Sequence, residues 1–263
     1  CIVAIPDLRV KKNENGQHAY FAVFDGHGGQ DVSQFLSNNF HVRLAAMFDP
    51  NVDEGISETF VSLDKEILEN FLDKIPDNSI NDLCSPSNSR RSISPYSLLD
   101  SSGSTGTILM VGQISGSKSL LLKLSWVGDS RAVLCKNGNA IALTTDHRVS
   151  NESERERIEK LEGHDTANGR LDGSLMITRG FGDLRHKLNF VSTVAKDKYN
   201  VAMATIQEAM TSPSTTQEKR KGLSNAVQRD ALICTPSVSN TQTQDEDEFI
   251  MLASDGLFDV MTN

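Results

Sequence analysis

The chain has 263 residues, a mass of 28.8 kDa and 38% hydrophobic residues, which suits one folded domain with a sizeable core. Its net charge is −9 and its aromatic content only 6%, so it lacks the basic surface and the stacking residues typical of nucleic-acid binders. No apolar run approaches the length of a membrane span, and we expect neither a nucleic-acid partner nor a membrane span.

An apolar run at residues 19–24 stops abruptly at Asp25. Its short length, its aromatic residues and the glycine after Asp25 favour a buried strand. Apolar residues then recur at helical spacing over residues 32–48, which predicts an amphipathic helix that ends before Pro50. A second apolar stripe predicts another helix over residues 56–72.

Residues 73–102 are rich in Ser, Asn, Pro and Asp. Such a composition buries too little apolar surface to offset the entropy of ordering, so it predicts an insertion or flexible loop. Strands are then predicted at residues 107–114, 120–127, 131–135 and 141–143. Between the last two of these strands, Asn137-Gly138 predicts a hairpin turn.

Asn151 predicts the start of a charged surface helix at residues 152–162, with Glu154 as its capping-box partner. The polar, mixed stretch at residues 187–230 predicts a second insertion. An apolar strand is predicted at residues 249–253, directly before Ser254-Asp255-Gly256.

Three predicted strands therefore end at an aspartate beside a glycine: Asp25, Asp129 and Asp255. Carboxylates gathered at one rim repel each other unless a cation lies among them, and oxygen-only clusters suit Mg²⁺ or Mn²⁺. The alternative interpretation is that Asp-Gly simply makes a turn after a strand. Sequence spacing alone leaves open whether the three carboxylates converge.

Six segments resemble, in order, the blocks of the type-2C (PPM) family of metal-dependent Ser/Thr protein phosphatases. They are FAVFDGHGG at residues 21–29, SGSTG at 102–106, VGDSRA at 127–132, TDHR at 145–148, GSL at 173–175 with TRGFGD at 178–183, and ASDGLFDVM at 253–261. The resemblance implies one domain over residues 1–263, truncated at both ends, with an α+β fold. Two antiparallel sheets pack face to face in it, and helices cover both outer faces in a four-layer α-β-β-α sandwich. The implied activity is hydrolysis of phosphoserine and phosphothreonine on proteins.

The resemblance also implies a ligand for each of two Mg²⁺ or Mn²⁺ ions. Asp25 matches the carboxylate that bridges the two ions, the backbone carbonyl of Gly26 matches a ligand of one, and Asp255 matches a ligand of the other. Asp129 matches a ligand of a third, weaker ion, with Asp259 as its companion. A water shared by two cations ionises near neutral pH and can attack the phosphorus directly.

His27 matches the general acid of the family. The alkoxide of Ser or Thr is a poor leaving group, and an imidazolium that protonates it is worth roughly 10²–10⁴ in rate. The alternative is a turn histidine hydrogen-bonded to its own loop. The reaction needs no phosphoenzyme. The resemblance implies phosphorylated proteins as substrates, in dephosphorylation and signalling.

Four cysteines, at positions 1, 84, 135 and 234, form no CxxC pair, which argues against a zinc or redox motif. Widely spaced cysteines in a domain of this size are typical of reduced thiols. We therefore expect an intracellular protein, cytoplasmic or nuclear.

The family pattern has further residues that this chain does not show. A phosphate-gripping Arg and a metal-binding Glu-Asp pair fall at or just before Cys1, and a last Asp ligand falls after Asn263. A clipped sequence is the favoured explanation. The alternative is a catalytically inactive pseudophosphatase that acts as a binding or regulatory module. A different two-metal hydrolase, such as a phosphodiesterase, is disfavoured because such sites use more histidines.

Overall fold

The computed structural model describes residues 1–10, 17–49, 52–73, 102–114, 116–161, 164–187 and 230–263. The two expected insertions, 73–102 and 187–230, lie outside these residues except at their ends. In the described part, no helix combines the length and the apolar character that crossing a membrane requires.

Fifteen helices and strands, apart from short 3-10 turns, are present in the described ranges. The strands are β1 (Ile2–Arg9), β2 (Gln17–Val23), β3 (Gly26–His27), β4 (Gly103–Ser104), β5 (Gly106–Gln113), β6 (Leu120–Val127), β7 (Arg131–Lys136), β8 (Asn139–Ala142), β9 (Phe181–Gly182), β10 (Ser237–Gln242) and β11 (Asp247–Ala253). The helices are α1 (Asp31–Met47), α2 (Glu54–Asp73), α3 (Glu152–Glu159) and α4 (Asp255–Phe258).

Two antiparallel sheets form the centre of the molecule. One has the strand order β1-β2-β5-β6-β10, and the other has the order β11-β7-β8. An apolar cluster lies between them, with Leu109, Leu124 and Trp126 from the first sheet and Ala132 and Leu252 from the second. The α+β class and the two face-to-face sheets expected from the sequence are therefore confirmed.

Helices α1 and α2 pack on the outer face of the five-stranded sheet. Their apolar faces meet the sheet in a cluster that includes four aromatic rings, Phe24, Phe40, Phe60 and Phe181. The ring centroids of Phe40 and Phe60 are 4.9 Å apart, and those of Phe60 and Phe181 are 5.3 Å apart. Phe24 directly precedes Asp25 in the chain, so burial of its ring fixes the end of β2 from the core side.

The boundaries of the predicted elements lie within two residues of those in the structure, except that the charged helix ends at Glu159, three residues earlier than expected. Both helices of the first third are present, and the apolar runs form β2, β5, β6, β7 and β11. Asn137 and Gly138 have φ angles of 49° and 68°, which is the left-handed pair that a tight hairpin turn requires. The return strand begins two residues earlier than expected, at Asn139.

The capping-box role predicted for Glu154 is wrong. Asn151 does cap α3, since its side-chain oxygen accepts from Ser153 N–H at 3.1 Å. Glu154, however, is buried, and its carboxylate accepts hydrogen bonds from Thr178 Oγ1 at 2.7 Å and Arg179 Nη2 at 2.6 Å. Burial alone would raise the pKa of Glu154, but hydrogen bonds from Arg179, Thr178 and Arg157 outweigh it and lower the pKa to about 2.

We expect Glu154→Gln to destabilise the fold by about 2–4 kcal/mol, because it leaves two partly buried guanidinium groups without a countercharge. The stability that Glu154 contributes is present above the ordinary Glu pKa and is lost as the pH falls through the pKa of Glu154 in the folded protein. The unfolding free energies of the variant and the parent should therefore converge in strong acid. Urea unfolding at pH 7 and pH 2.5 measures both effects. Glu156→Gln, on the exposed side of α3, is the matched control and should change stability by less than about 0.5 kcal/mol.

Candidate functional site

Asp25 and Asp255 come together at one rim of the sheets. Asp25 follows β2, and Asp255 opens α4 directly after β11. Burial raises the pKa of Asp25, and a side-chain hydrogen bond to Asp255 raises it further, together with the negative charges of Asp255 and Asp129. The two residues are 230 positions apart in the chain. The structure thus brings together two carboxyl groups that the sequence placed at separate strand ends.

The backbone of Asp25 is held on both sides. Its N–H donates to Thr105 Oγ1 at 3.2 Å, and its carbonyl accepts from Thr105 N–H at 2.9 Å and from Ser104 Oγ at 3.1 Å. Thr105 Oγ1 also hydrogen bonds Ser130 Oγ at 2.8 Å. The SGSTG segment therefore fixes the turn that aims the Asp25 carboxylate.

Asp129 faces an arginine that also reaches two other carboxylates. Arg148 Nε donates to Asp129 Oδ2 at 2.7 Å. Its Nη2 lies 3.5 Å from Asp255 Oδ2 and 3.4 Å from Asp259 Oδ1. Burial raises the pKa of Asp129, and although Arg148 opposes this, the negative charges of Asp255 and Asp146 add to the rise. Asp129 and Asp259 thus lie at the same rim as Asp255.

A buried histidine positions the turn before Asp129. His147 Nδ1 accepts from Gly128 N–H at 3.2 Å, so its proton is on Nε2, which donates to Ser237 Oγ at 2.9 Å. The ring stacks on Trp126 with centroids 5.9 Å apart. Burial, with the charge of nearby Arg179, lowers the pKa of His147 to about 4.

His27 pairs with a carboxylate to which the sequence assigned no role. Its Nε2 lies 2.9 Å and 2.8 Å from the two oxygens of Asp183, which is 3% exposed. Burial would lower the pKa of His27, but Asp183, with the charges of Asp129 and Asp25, raises it above the usual value. Asp183 sits at a φ of 54°, a left-handed conformation that a non-glycine residue adopts at an energetic cost.

A second ion pair that the sequence did not reveal holds the turn before Asp183. Lys187 Nζ, itself buried, donates to both oxygens of Asp64 at 2.8 and 2.7 Å and to the Gly180 carbonyl at 2.9 Å. Asp64 also accepts from Gly182 N–H at 2.9 Å. The sequence contains one indication of this pair. Asp64 lies among the apolar residues of the buried face of α2, where an unpaired charge is costly, so a partner of opposite charge is expected.

Comparisons with known proteins identify the family of the chain. The family model described as protein phosphatase 2C matches residues 2–263. The chain belongs to the protein phosphatase 2C family. The blocks that resembled this family in the sequence contain all the residues just placed at the rim, namely Asp25, His27, Asp129, Arg148, Asp183, Asp255 and Asp259.

Curated relatives within the protein phosphatase 2C family are longer than this chain. "Protein phosphatase 1E" of Mus musculus is 32% identical over 191 residues, which cover 70% of this chain and 22% of that protein. "Probable protein phosphatase 2C 21" of Oryza sativa subsp. japonica is 28% identical over 264 residues, covering 97% of this chain and 65% of that protein. The chain therefore spans less than two thirds of the length of either relative.

Solved structures support the protein phosphatase 2C fold. "Crystal structure of a phosphatase from a toxoplasma gondii" aligns with a TM-score of 0.60 and 17% identity over 100% of this chain and 69% of that one. A second phosphatase from a pathogenic strain of Toxoplasma gondii has a TM-score of 0.59 and 20% identity over 98% and 76%. At these identities the likeness concerns the fold alone, and it agrees with the α-β-β-α sandwich expected for the family.

The rim residues suit the hard cations of protein phosphatase 2C in their chemistry. Their donors are oxygens, and the contact between the Asp25 and Asp255 carboxyls is one that a bound cation would relieve. Within the described ranges, however, no group of three or more His, Cys, Asp or Glu side chains is placed to hold an ion. The residues therefore fit a cation in kind and in charge, and the described side chains alone do not complete its ligand set.

We expect the fold to lose stability below pH 6.5 because His147 must remain neutral. In the unfolded chain it takes up a proton near pH 6.5, whereas the folded chain resists protonation until about pH 4. The stability contributed by the neutral ring is complete above pH 6.5 and decreases by about 3 kcal/mol as the pH falls to 4. Urea unfolding followed by the fluorescence of Trp126, the single tryptophan, measures this loss. A His147→Gln variant should show a flatter pH profile over the same interval, and an equally steep profile would contradict the assignment.

Proposed function

We propose that the protein hydrolyses phosphoserine and phosphothreonine esters of other proteins at this rim, with divalent cations held there. The observation that carries the proposal is the approach of Asp25 and Asp255 beside a His27–Asp183 pair. A cluster of carboxylates supplies binding for hard cations, and a histidine held by a carboxylate supplies a proton donor. The family of the chain supports the same reaction class.

The chain's own oxygen ligands for two Mg²⁺ or Mn²⁺ ions would be the Asp25 carboxylate, the Gly26 carbonyl and the Asp255 carboxylate, with Asp129 and Asp259 for a weaker third. When bound, such ions supply a nucleophilic water that ionises near neutral pH and neutralise charge on the phosphoryl oxygens. Thr105 and Ser104 keep the Asp25 carboxylate aimed at the rim through their hydrogen bonds to its backbone.

His27 would protonate the departing alkoxide. Its Nε2 is engaged by Asp183, so the transferable proton of the imidazolium is the one on Nδ1. The carboxylate fixes the ring orientation and favours the charged form, which keeps the acid loaded at a higher pH than an isolated histidine would allow. The buried Asp64–Lys187 pair holds Gly180 and Gly182, and with them the turn that presents Asp183.

The alternative function is that of an inactive binding or regulatory module. The shortage of side-chain ligands among the described residues favours it. In the antiparallel β1–β2 pairing, Cys1 lies opposite Phe24, with Phe24 N–H donating to the Cys1 carbonyl at 2.8 Å. A residue directly before Cys1 would therefore lie next to Asp25. If a residue precedes Cys1, an acidic one there would support the enzyme, and an apolar one would support the binding module.

We expect Asp25→Ala and Asp255→Ala each to reduce Mn²⁺-dependent hydrolysis of p-nitrophenyl phosphate by the full-length protein by at least about 100-fold. Each change removes a carboxylate from the proposed cation site, where several kcal/mol of charge stabilisation originate. EDTA should abolish the parent activity. Glu159→Ala removes an exposed carboxylate of α3 and should leave the rate unchanged. Full activity in either aspartate variant contradicts the proposal.

We expect Asp183→Asn to slow the hydrolysis of a phosphoserine peptide by roughly 10–100-fold, part of the range that general-acid catalysis contributes. The loss for p-nitrophenyl phosphate should be smaller, because its leaving group needs little protonation. Activity that depends on an acid falls as the pH rises through the pKa of that acid. Since Asp183 raises the pKa of His27, the alkaline limb of the pH–rate profile should move to lower pH in the variant.

The control for this experiment is His27→Gln. It should show the same difference between the two substrates, and adding Asp183→Asn to it should cause little further loss, because the two residues act as a unit. If both substrates are slowed equally by Asp183→Asn, the residue supports the fold of the turn and not the proton transfer.

A further inference from the structure

Arg148 links three segments that meet at the rim. Its guanidinium contacts Asp129, which follows β6, and Asp255 and Asp259, which begin and follow α4. The side chain of Arg148 is 18% exposed and that of Asp129 is 5% exposed, so the pair is largely shielded from water. One guanidinium therefore supplies a shared positive charge to three carboxylates that would otherwise repel one another.

A neighbouring ion pair directs the charge of Arg148 towards the rim. Asp146 lies two residues before Arg148, but its carboxylate accepts two hydrogen bonds from Arg131, both at 2.8 Å. Arg148 Nε is 4.0 Å from the nearer Asp146 oxygen and 2.7 Å from Asp129 Oδ2. Because Arg131 already engages both oxygens of Asp146, the hydrogen bonds of Arg148 go to Asp129, Asp255 and Asp259.

Two of these carboxylates, Asp129 and Asp259, are the ones that would hold the weaker cation, and Asp255 would hold one of the two main ions beside it. A divalent ion placed among them would stand within a few ångströms of a guanidinium, where two positive charges repel and where the oxygen lone pairs that the ion needs already accept N–H groups. The guanidinium and the ion are thus competing ligands of one set of oxygens. Any free energy that Arg148 gains from these oxygens is lost when an ion displaces it.

We propose that Arg148 sets the affinity of the weaker cation by competing with it for Asp129 and Asp259. The inference rests on the proposed function in assigning a cation to these carboxylates, but it concerns binding and not hydrolysis. In the metal-free protein Arg148 stabilises the rim, and a cation binds there only after its guanidinium has moved away. None of the described contacts of Arg148 reaches Asp25. This competition is therefore absent from the part of the site that Asp25 forms.

The experiment compares Arg148→Gln with Arg148→Lys. Mn²⁺ binding is followed by calorimetry and by electron paramagnetic resonance, which counts the unbound ion, and the melting temperature is recorded with and without Mn²⁺. Arg155→Gln is the matched control, since Arg155 lies on α3 and pairs with Glu152 and Glu159 on the surface. It removes the same charge from the chain at a place where the proposal predicts no effect.

We expect Arg148→Gln to tighten the weakest class of Mn²⁺ sites by about fivefold or more, the lower end of ordinary coupling between two ligands. The metal-free variant should melt at a lower temperature than the parent, and saturating Mn²⁺ should raise its melting temperature by more. Arg148→Lys should fall between the two, because an ammonium keeps the charge but cannot span three carboxylates. This second variant retains a cation at the rim if Arg148→Gln folds poorly.

The gain in affinity should depend on Asp129. In an Asp129→Asn background, adding Arg148→Gln should tighten Mn²⁺ binding by less than it does in the parent, since the main oxygen in the competition is gone. Unchanged or weaker Mn²⁺ binding in Arg148→Gln would overturn the inference, as would a chain that binds no Mn²⁺ with or without Arg148. A parent protein that hydrolyses no phosphoester while Arg148→Gln still gains Mn²⁺ affinity would instead overturn the proposed function and leave this inference standing.

Discussion

Repulsion among carboxylates is the constraint on which the arrangement of this molecule depends. Asp25, Asp129, Asp255 and Asp259 gather at one rim, and two unit charges 4 Å apart near a protein surface repel by about 4 kcal/mol. Burial and the neighbouring carboxylates raise the pKa of Asp25, and the guanidinium of Arg148 contacts Asp129, Asp255 and Asp259. The proposed cations would neutralise the same charges.

Buried ion pairs away from the rim hold the turns that carry its residues. Glu154 joins α3 to Thr178 and Arg179, and Asp64 joins α2 to Lys187 and the Gly182 backbone. In each case a carboxylate accepts several hydrogen bonds, so its negative charge is tolerated within the protein. The segments on both sides of Asp183 are thereby tied to two different helices, which explains how a residue with a left-handed backbone is kept in place.

The sequence predicted the parts of the site that depend on local patterns. Short apolar runs ending at Asp25, Asp129 and Asp255 placed carboxylates at strand ends, and the resemblance to a family implied their convergence. The long-range partners could not be read in the same way. Nothing in the spacing relates His27 to Asp183, 156 residues later, or Asp64 to Lys187, because such pairs depend on how the helices pack against the sheet. Glu154 fitted a local capping rule, yet hydrogen bonds from Arg179, Thr178 and Arg157 override that rule.

The aromatic cluster beneath the rim gives the two halves of the site a common support. Phe24 and Phe181 both pack on Phe40, and each lies one or two residues before a functional carboxylate, Asp25 in one case and Asp183 in the other. A void opened at Phe40 would let both turns relax at once, since interiors transmit small displacements through close packing. A substitution that removes the Phe40 ring would therefore weaken cation binding and proton donation together, although it alters no reacting group.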